Sequence, residues 1–385
     1  MGLRVAMVGV GGFAQSFIPL FKAHPLVDEV VLCDLHADRA AEAAQRFELS
    51  RTAASLDEVC DSDADAVAII TQPWLHAGQA VQALRAGKHV YSAVPTGISL
   101  DEIGALVRTV EETGLIYMLG ETSYYYPEAL YCRQRFAEGA FGDVVYGEGE
   151  YYHDWDHGLY PISRRRGGER WLETAGKPPL YYPTHSVSLI VSVTGAHMTH
   201  VSAQGFVDRV DDGVYRAEAN LWNNTFSNET ALFRMSDGSA CRINEFRRVG
   251  HPGTVRMSLF GTQGCFEHNL AGSRWVTKDR ARTEPLDDLL AVGGVRHAED
   301  DFAGVSAVHP VARLPREYAG LPNGHLGSHQ FLVDDFVQAC VSGRQPPNHV
   351  WRAARYCVPG LVAHDSARQG GVLLVVPDFG AGPTG

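Results

Sequence analysis

No CxxC pair occurs in this 385-residue chain, and its seven cysteines (Cys33, Cys60, Cys132, Cys241, Cys265, Cys340 and Cys357) are odd in number and scattered. A disulfide framework and a structural zinc are therefore not expected, and the thiols read as reduced side chains of a cytoplasmic protein. No apolar run approaches the ~20 residues that span a bilayer, and no charged segment followed by an apolar one precedes the first strand pattern. Neither a membrane partner nor a secretory signal is expected. Basic residues are also in short supply: 33 Lys and Arg face 45 Asp and Glu, a net charge of −12. A nucleic-acid partner, which asks for a basic face, is disfavoured. Internal repeats and low-complexity segments are missing too. What remains is ordinary for a globular protein, with 45% hydrophobic and 20% charged residues and 40 glycines spread without a period. The length predicts two domains.

The first 120 residues alternate strand and helix. Val5–Val8, Val30–Cys33, Ala66–Ile70, Lys88–Tyr91 and Ile116–Leu119 are short apolar runs of the kind buried on both faces of a sheet. Helical spacing separates them: Phe13, Phe17 and Leu20 share a face, His76–Ala86 reads as a helix, and Ser99-Leu100-Asp101-Glu102 is a capping box. This alternation predicts a parallel sheet with right-handed crossovers. After Glu121 the pattern changes. Residues 144–153 alternate, and a long loop is expected up to about Pro183, followed by a helix over Thr184–Val193. Strands are then expected over Val214–Trp222, Glu229–Met235, Ala240–Phe246 and Val255–Phe260. Residues 278–322 read as a loop, and Ser328–Val341 as a helix stopped by Gly343. The expected class is α/β: a first domain over residues 1–122, a second with an antiparallel or mixed sheet over 123–375, and a tail over 376–385.

Gly9-Val10-Gly11-Gly12-Phe13-Ala14 lies between the first strand and the first helix and fits G-x-G-x-x-A. Gly9 suits the tight turn, Gly11 lets the backbone approach a pyrophosphate, and Ala14 permits close packing, with the helix N-terminus facing the phosphates. Asp34 closes the second strand, where it can accept hydrogen bonds from ribose hydroxyls and repel a 2′-phosphate, so NAD is expected. Thr71, Gln72, Pro73 and His76 follow the Ala66–Ile70 strand at the edge where nucleotides bind and are expected beside the cofactor.

In the second half, Tyr152 and Trp155 end a strand in an aromatic run, which fits either a sugar platform or a packed strand edge. Arg164-Arg165-Arg166, with Arg170 and Lys177, is the dense basic cluster of an acidic chain. It fits guanidinium recognition of an anionic sugar, a uronate or a sulfonated hexose, and equally a solvated loop or a subunit contact. His325 and His329, four apart, lack a third ligand at a useful spacing, so no metal is expected; hydrogen bonding to a sugar or leaving group, or a helix cap, remains.

The order of these motifs resembles the glucose-fructose oxidoreductase/inositol dehydrogenase (Gfo/Idh/MocA) family. The glycine turn, Asp34, Thr71-Gln72-Pro73 with His76, and Ala86-Gly87-Lys88-His89-Val90 leading to Ala93-Val94-Pro95 carry the resemblance. It implies a Rossmann domain, a second α/β domain with an open sheet that supports a dimer or tetramer, and Ala93, Val94, Pro95 and Glu121 as further cofactor contacts. Where that family usually has Glu-Lys-Pro, with a proton-handling lysine, this chain has Val94. Tyr182-Pro183-Thr184-His185 and Gly324-His325-Leu326-Gly327-Ser328-His329 look like a branch of the superfamily, the NAD-dependent glycosidases of glycoside hydrolase family 109 and relatives. Ala93 stands where that branch has Glu, which points to a sister family. The resemblance implies a small sugar or glycoside as substrate and a redox route: oxidation at sugar C3, elimination of the aglycone, addition of water and re-reduction. By that resemblance Tyr182 and His185 are expected to carry the acid/base work, His185 at the C3 hydroxyl and Tyr182 at C2–H. An ordinary NAD-dependent sugar or polyol dehydrogenase is the alternative.

Overall fold

A computed structural model of the chain describes residues 2–293 and 302–383, so the loop expected over 278–322 and the tail over 376–385 lie partly outside the described residues. Two compact units form: one of Met1–Leu130, Asp288–Ala354 and Phe379–Gly385, the other of Tyr131–Asp287 and Arg355–Asp378. A single cut after residue 122 therefore does not describe the division. The segment from 288 to 354 goes with the first unit because Phe331, Leu332 and Phe336 share one core with Phe17, Phe21 and Tyr91.

The first unit is a six-stranded sheet in the order β3-β2-β1-β4-β5-β6, with β1 Leu3–Val8, β2 Val27–Cys33, β3 Arg51–Ala53, β4 Ala66–Ile69, β5 His89–Ser92 and β6 Tyr117–Leu119. All five pairings are parallel. Five helices connect the strands: α1 Ile18–Ala23, α2 Ala37–Arg46, α3 Leu56–Asp61, α4 His76–Arg85 and α5 Leu100–Thr113. Val5 to Val8 are buried, as their unbroken apolar run predicts. The capping box is formed: Ser99 Oγ accepts from the Glu102 N–H at 3.2 Å, and Glu102 Oε2 accepts from the Ile98 N–H at 2.9 Å. The strand order reverses between β1 and β4, and ligands of doubly wound sheets bind at that switch.

The second unit is a nine-stranded mixed sheet, ordered β14-β13-β12-β11-β7-β10-β9-β8-β15. Its strands are β7 Val144–Tyr152, β8 Met198–Val207, β9 Phe226–Met235, β10 Ala240–Phe246, β11 Thr254–Gly261, β12 Gly264–Asn269, β13 Gly272–Thr277, β14 Glu284–Pro285 and β15 Leu374–Val375. Only the β7–β10 pair is parallel. The helix α6, Thr184–Thr194, packs on one face of β7. That face carries Gly147 and Gly149, and a Cβ at Gly149 would come 2.2 Å from Ser186 O, so glycine there is what lets the helix lie close.

Two sequence expectations are corrected. The strand expected over Val214–Trp222 is a series of turns. Asn220 and Asn224 turn their side chains onto nearby backbone, with Asn220 Oδ1 accepting from the Asn224 N–H at 2.9 Å, which replaces the ladder a strand would need. The long loop before Pro183 contains a helix, Leu159–Gly167, whose period was hidden because none of its residues is fully buried.

Candidate functional site

In the first unit the glycine turn is shaped by backbone. Gly9 has φ +90°, its N–H donates to Cys33 O at 2.8 Å, and a Cβ there would come 2.4 Å from Ile70 O. At Gly11 and Gly12 a Cβ would meet nothing within 4 Å, so the turn is open where a dinucleotide would lie. The first helix is shorter than expected: a 3₁₀ turn over Ala14–Ser16 leads into α1. Asp34 is buried at the end of β2; it accepts from the Val10 N–H at 2.8 Å and the His36 N–H at 2.9 Å, and Arg39 Nη1 lies 3.3 Å away. Beyond β4, Thr71 Oγ1 donates to Gln79 at 2.6 Å, while Gln72 Oε1 is buried with no hydrogen-bond partner among the described residues. The open turn, the carboxylate braced beside it and the orphaned amide oxygen all fit an NAD dinucleotide.

Other expected cofactor contacts have different surroundings. His76 is buried and ties two backbone segments, with Nδ1 2.8 Å from Pro95 O and Nε2 3.3 Å from Thr71 O. Ala93 and Val94 are buried, and the Glu121 carboxylate accepts from the Ser123 N–H at 2.9 Å and the Ser123 hydroxyl at 2.7 Å. Phe13 stands edge-on to Phe17, His325 and His329 at 5.1, 5.3 and 5.7 Å. The role expected of His329, hydrogen bonding to a sugar, is corrected. It is 2% exposed and stacks on Phe17 at 4.3 Å, and its Nε2 lies 2.8 Å from His325 Nδ1. Burial, then His325, pushes its pKa down to about 3. His325 and Leu326 adopt left-handed backbone, φ +46° and +53°, a strained turn that aims His325 back at His329.

In the second unit the side chains of Tyr182, His185, Tyr151, His153, Lys177 and Arg247 form one cluster. Tyr182 and His185 rings are 5.4 Å apart, Tyr151 is 5.3 Å from His185 and 6.1 Å from Tyr182, and the Tyr151 hydroxyl is 2.8 Å from His153 Nδ1. Strand alternation explains the arrangement. Gly147, Gly149 and Tyr151 point to the α6 face, and Tyr152 points away. In the β7–β10 register Glu245 sits opposite Tyr151, and Phe246 opposite Tyr152. Tyr152 accordingly stacks on Phe246 at 4.9 Å, so the sugar-platform role expected of it is corrected to packing. Trp155 is corrected likewise: it is buried against Val214 and Tyr215, and its indole N–H donates to the Tyr215 hydroxyl at 3.1 Å. The chain before Tyr182 is fixed from below: Glu229 accepts from the Leu180 N–H at 2.9 Å and sits 2.7 Å from His364 Nδ1, while Gly360 lets Leu180 O approach.

The basic cluster of the sequence is divided. Arg164 lies over the Trp171 ring at 5.2 Å on an exposed helix, and Arg166 is exposed there too. Lys177 is half-buried with Nζ 4.6 Å from the Tyr182 ring centre. Burial first, then Arg247 and Arg166, pushes the Lys177 ammonium down to about 7, against the pull of Glu245. Attraction to the tyrosine face, roughly 0.5–2 kcal/mol, opposes this without cancelling it. Glu245 is fully buried; burial pushes its carboxyl up to about 7, although Arg247 and the Ser186 hydroxyl, at 2.9 and 2.5 Å, favour the charged form. Arg247 also lies over Tyr151 at 4.7 Å, and burial and Arg247 lower the His153 pKa. Sequence reading missed Tyr151, His153, Glu245 and Arg247. The odd-numbered alternation of Gly147, Gly149 and Tyr151 was the available signal for the first two.

Residues 3–121 match a family model described as an oxidoreductase family with an NAD-binding Rossmann fold. Over these residues the chain is similar to that family. NAD is thus the cofactor of the first unit. The whole chain is similar to proteins named glycosyl hydrolase family 109 protein: 28% identical to one from Streptomyces niveus, over 99% of this chain and 78% of the relative, and 25% identical to one from Solibacter usitatus, over 99% and 89%. Among solved structures it shares its fold with a levoglucosan dehydrogenase in complex with NADH and levoglucosan (TM-score 0.76, 18% identity, 98% of this chain and 100% of the other). A myo-inositol 2-dehydrogenase from Lactobacillus plantarum has the same fold, with TM-score 0.69 and 16% identity over 98% of this chain and 100% of the other.

Proposed function

We propose that the protein is an NAD-dependent glycoside hydrolase that oxidises its sugar transiently at C3, eliminates the aglycone, adds water and restores C3. The observation that carries this reading is the make-up of the second unit's cluster. Phenol, imidazole and amine groups meet there, while the carboxylate in contact with them, Glu245, is fully buried and bound to Ser186 and Arg247. A direct glycosidase needs two carboxyl groups flanking the scissile bond; a C3 ketone instead needs bases that take a hydroxyl proton and a C2 proton. Bound NAD+ supplies reversible removal of hydride from C3. His185 takes the hydroxyl proton, since imidazole titrates near neutrality, and Tyr182 handles the proton at C2. The aglycone leaves by elimination and is not displaced by a nucleophile at C1, so either anomer is accepted.

The names of the glycosyl hydrolase family 109 relatives support this reading. Exposed Arg166 and the cationic surplus around Arg247 support an anionic sugar, a uronate or a sulfonated hexose. Exposed Val145, Phe206 and Leu232 on the nine-stranded sheet support self-association as a dimer or tetramer. Among the described residues no helix is long and apolar enough to cross a membrane, and seven free cysteines support a cytoplasmic setting. The second reading, an NAD-dependent sugar or polyol dehydrogenase, is favoured by the fold shared with such dehydrogenases. The deciding experiment incubates protein and NAD+ with 4-nitrophenyl glycosides of both anomers in D2O. Aglycone release with deuterium at C2 is expected. Stoichiometric NADH from free sugars without aglycone release would select the dehydrogenase, and release without deuterium would exclude the elimination route.

A further inference from the structure

The chain has four lysines, Lys22, Lys88, Lys177 and Lys278. Lys22 pairs with Glu48 at 3.5 Å, Lys88 donates to Ser62 O at 2.7 Å, and Lys278 is exposed. Lys177 differs from all three. It is half-buried, lies over the Tyr182 ring at 4.6 Å, and makes no hydrogen bond or ion pair among the described residues. The charged groups that face it are the guanidiniums of Arg247 and Arg166 and the carboxyl of Glu245, which is held by Ser186 and Arg247. Tyr182 and, beyond it, His185 are the other titratable groups of the cluster. An amine seated against a proposed catalytic ring, between two cations and without an acceptor, is placed to lose and regain a proton.

We propose that Lys177 is the acid/base residue for the aglycone oxygen and for the incoming water. The inference rests on the elimination reading above, which leaves both of those proton transfers without a group. In the elimination, the C2 proton passes to the Tyr182 oxygen and the C2–H electrons form a C1=C2 double bond. The C1–O bond breaks, its electron pair stays on the aglycone oxygen, and that oxygen takes a proton from the Lys177 ammonium. Lys177 is left as a neutral amine. In the hydration, the water oxygen bonds to C1 and its proton goes to the amine, while the Tyr182 hydroxyl returns a proton to C2. Both residues end as they began, and the net change is one water added and one aglycone released. With its pKa at about 7, Lys177 holds both forms at neutral pH, as the two half-reactions require. An ordinary lysine, near 10.4, would be a weaker acid towards the aglycone oxygen.

The test compares the full-length enzyme with Lys177→Met and Lys177→Arg on 4-nitrophenyl and methyl glycosides of one sugar that the wild type cleaves. Nitrophenolate leaves without a proton, so its first-turnover release should fall by less than about tenfold, whereas methanol release should fall by roughly 10²–10⁴-fold in both variants. The wild-type decline in methyl glycoside cleavage above pH ~7 should vanish in both. Equal losses on the two glycosides would make Lys177 structural, and methanol release retained in Lys177→Arg would make it a fixed positive charge; either overturns the proposal. A readout independent of turnover comes from reductive ¹³C-methylation, which labels the four lysines for NMR. The Lys177 signal, assigned by its loss in Lys177→Arg, should titrate near 7. Titration near the ordinary ~10.4 overturns the proposal even if the wild type is a glycosidase. A wild type that releases no aglycone while Lys177 titrates near 7 overturns the glycosidase reading, and this role with it.

Discussion

The first unit builds its cofactor turn from backbone and from residues close in sequence, whereas the second assembles its cluster from side chains on β7, β10, α6 and the segment before it. Gly9 is fixed by a backbone bond to Cys33 O and by the nearness of Ile70 O. Tyr151, Glu245, His185 and Lys177 meet only because β7 and β10 pair in parallel and α6 lies on the glycine face of β7. The difference teaches where each site is vulnerable. A backbone turn fails by steric strain at one position, and a side-chain cluster fails when a buried charge loses its partner.

The sharpest test of the second half of that comparison is Glu245→Ala. It leaves the Arg247 guanidinium, 9% exposed, without its carboxylate, and an uncompensated buried charge costs about 3–5 kcal/mol. Urea unfolding of the variant should show that loss, and Glu245→Gln, which keeps the shape and a hydrogen bond, should lose only about 1–2 kcal/mol. A loss below ~1 kcal/mol for the alanine variant would mean the pair does not hold the cluster.

Gly9→Ala tests the other half. The new Cβ meets Ile70 O in a backbone conformation of φ +90°, and strain of that kind costs about 1–3 kcal/mol. The turn must shift, so the NAD affinity should fall by about 30-fold for each ~2 kcal/mol of misfit, read by calorimetric titration. An unchanged affinity would show that the turn is not the cradle.

The same difference explains what the sequence revealed. The glycine turn, Asp34 and the α/β alternation were legible because their spacing is local and their φ and burial demands leave few residue choices. The nearness of Tyr182 and His185 was legible too, since both lie on one short run. Tyr151, Glu245 and Arg247 were not, because strand pairing between β7 and β10 spans nearly a hundred residues and no local period records it. Tyr152 and Trp155 misled for a related reason. Adjacent aromatics in a strand point to opposite faces, and composition alone does not say which face holds the chemistry. His329 misled because a histidine beside glycines reads as exposed, whereas here Phe17 and Phe13 enclose it.

His329 gives the smallest effect and joins the two halves, being a buried side chain behind the backbone turn. Its pKa is about 3 in the folded protein and ~6.5 when unfolded, so the unfolded chain binds the extra proton between those values. The sign follows: stability is intact above pH ~6.5 and is lost as the pH falls towards 3, amounting to about 2 kcal/mol by pH 5. His329→Leu removes this term. At pH 7 the variant gives up the contact with His325, at 2.8 Å, but also a buried Nδ1 that has no partner among the described residues. Its stability there should stay within ~1 kcal/mol of wild type. Between pH 7 and pH 5 the variant should lose about 2 kcal/mol less than wild type, read from urea midpoints at the two pH values. Parallel losses in the two proteins would mean that His329 is protonated in the fold. The side chain packed behind the glycine turn would then be a charged group, and the turn would depend on side-chain electrostatics as the second unit's cluster does.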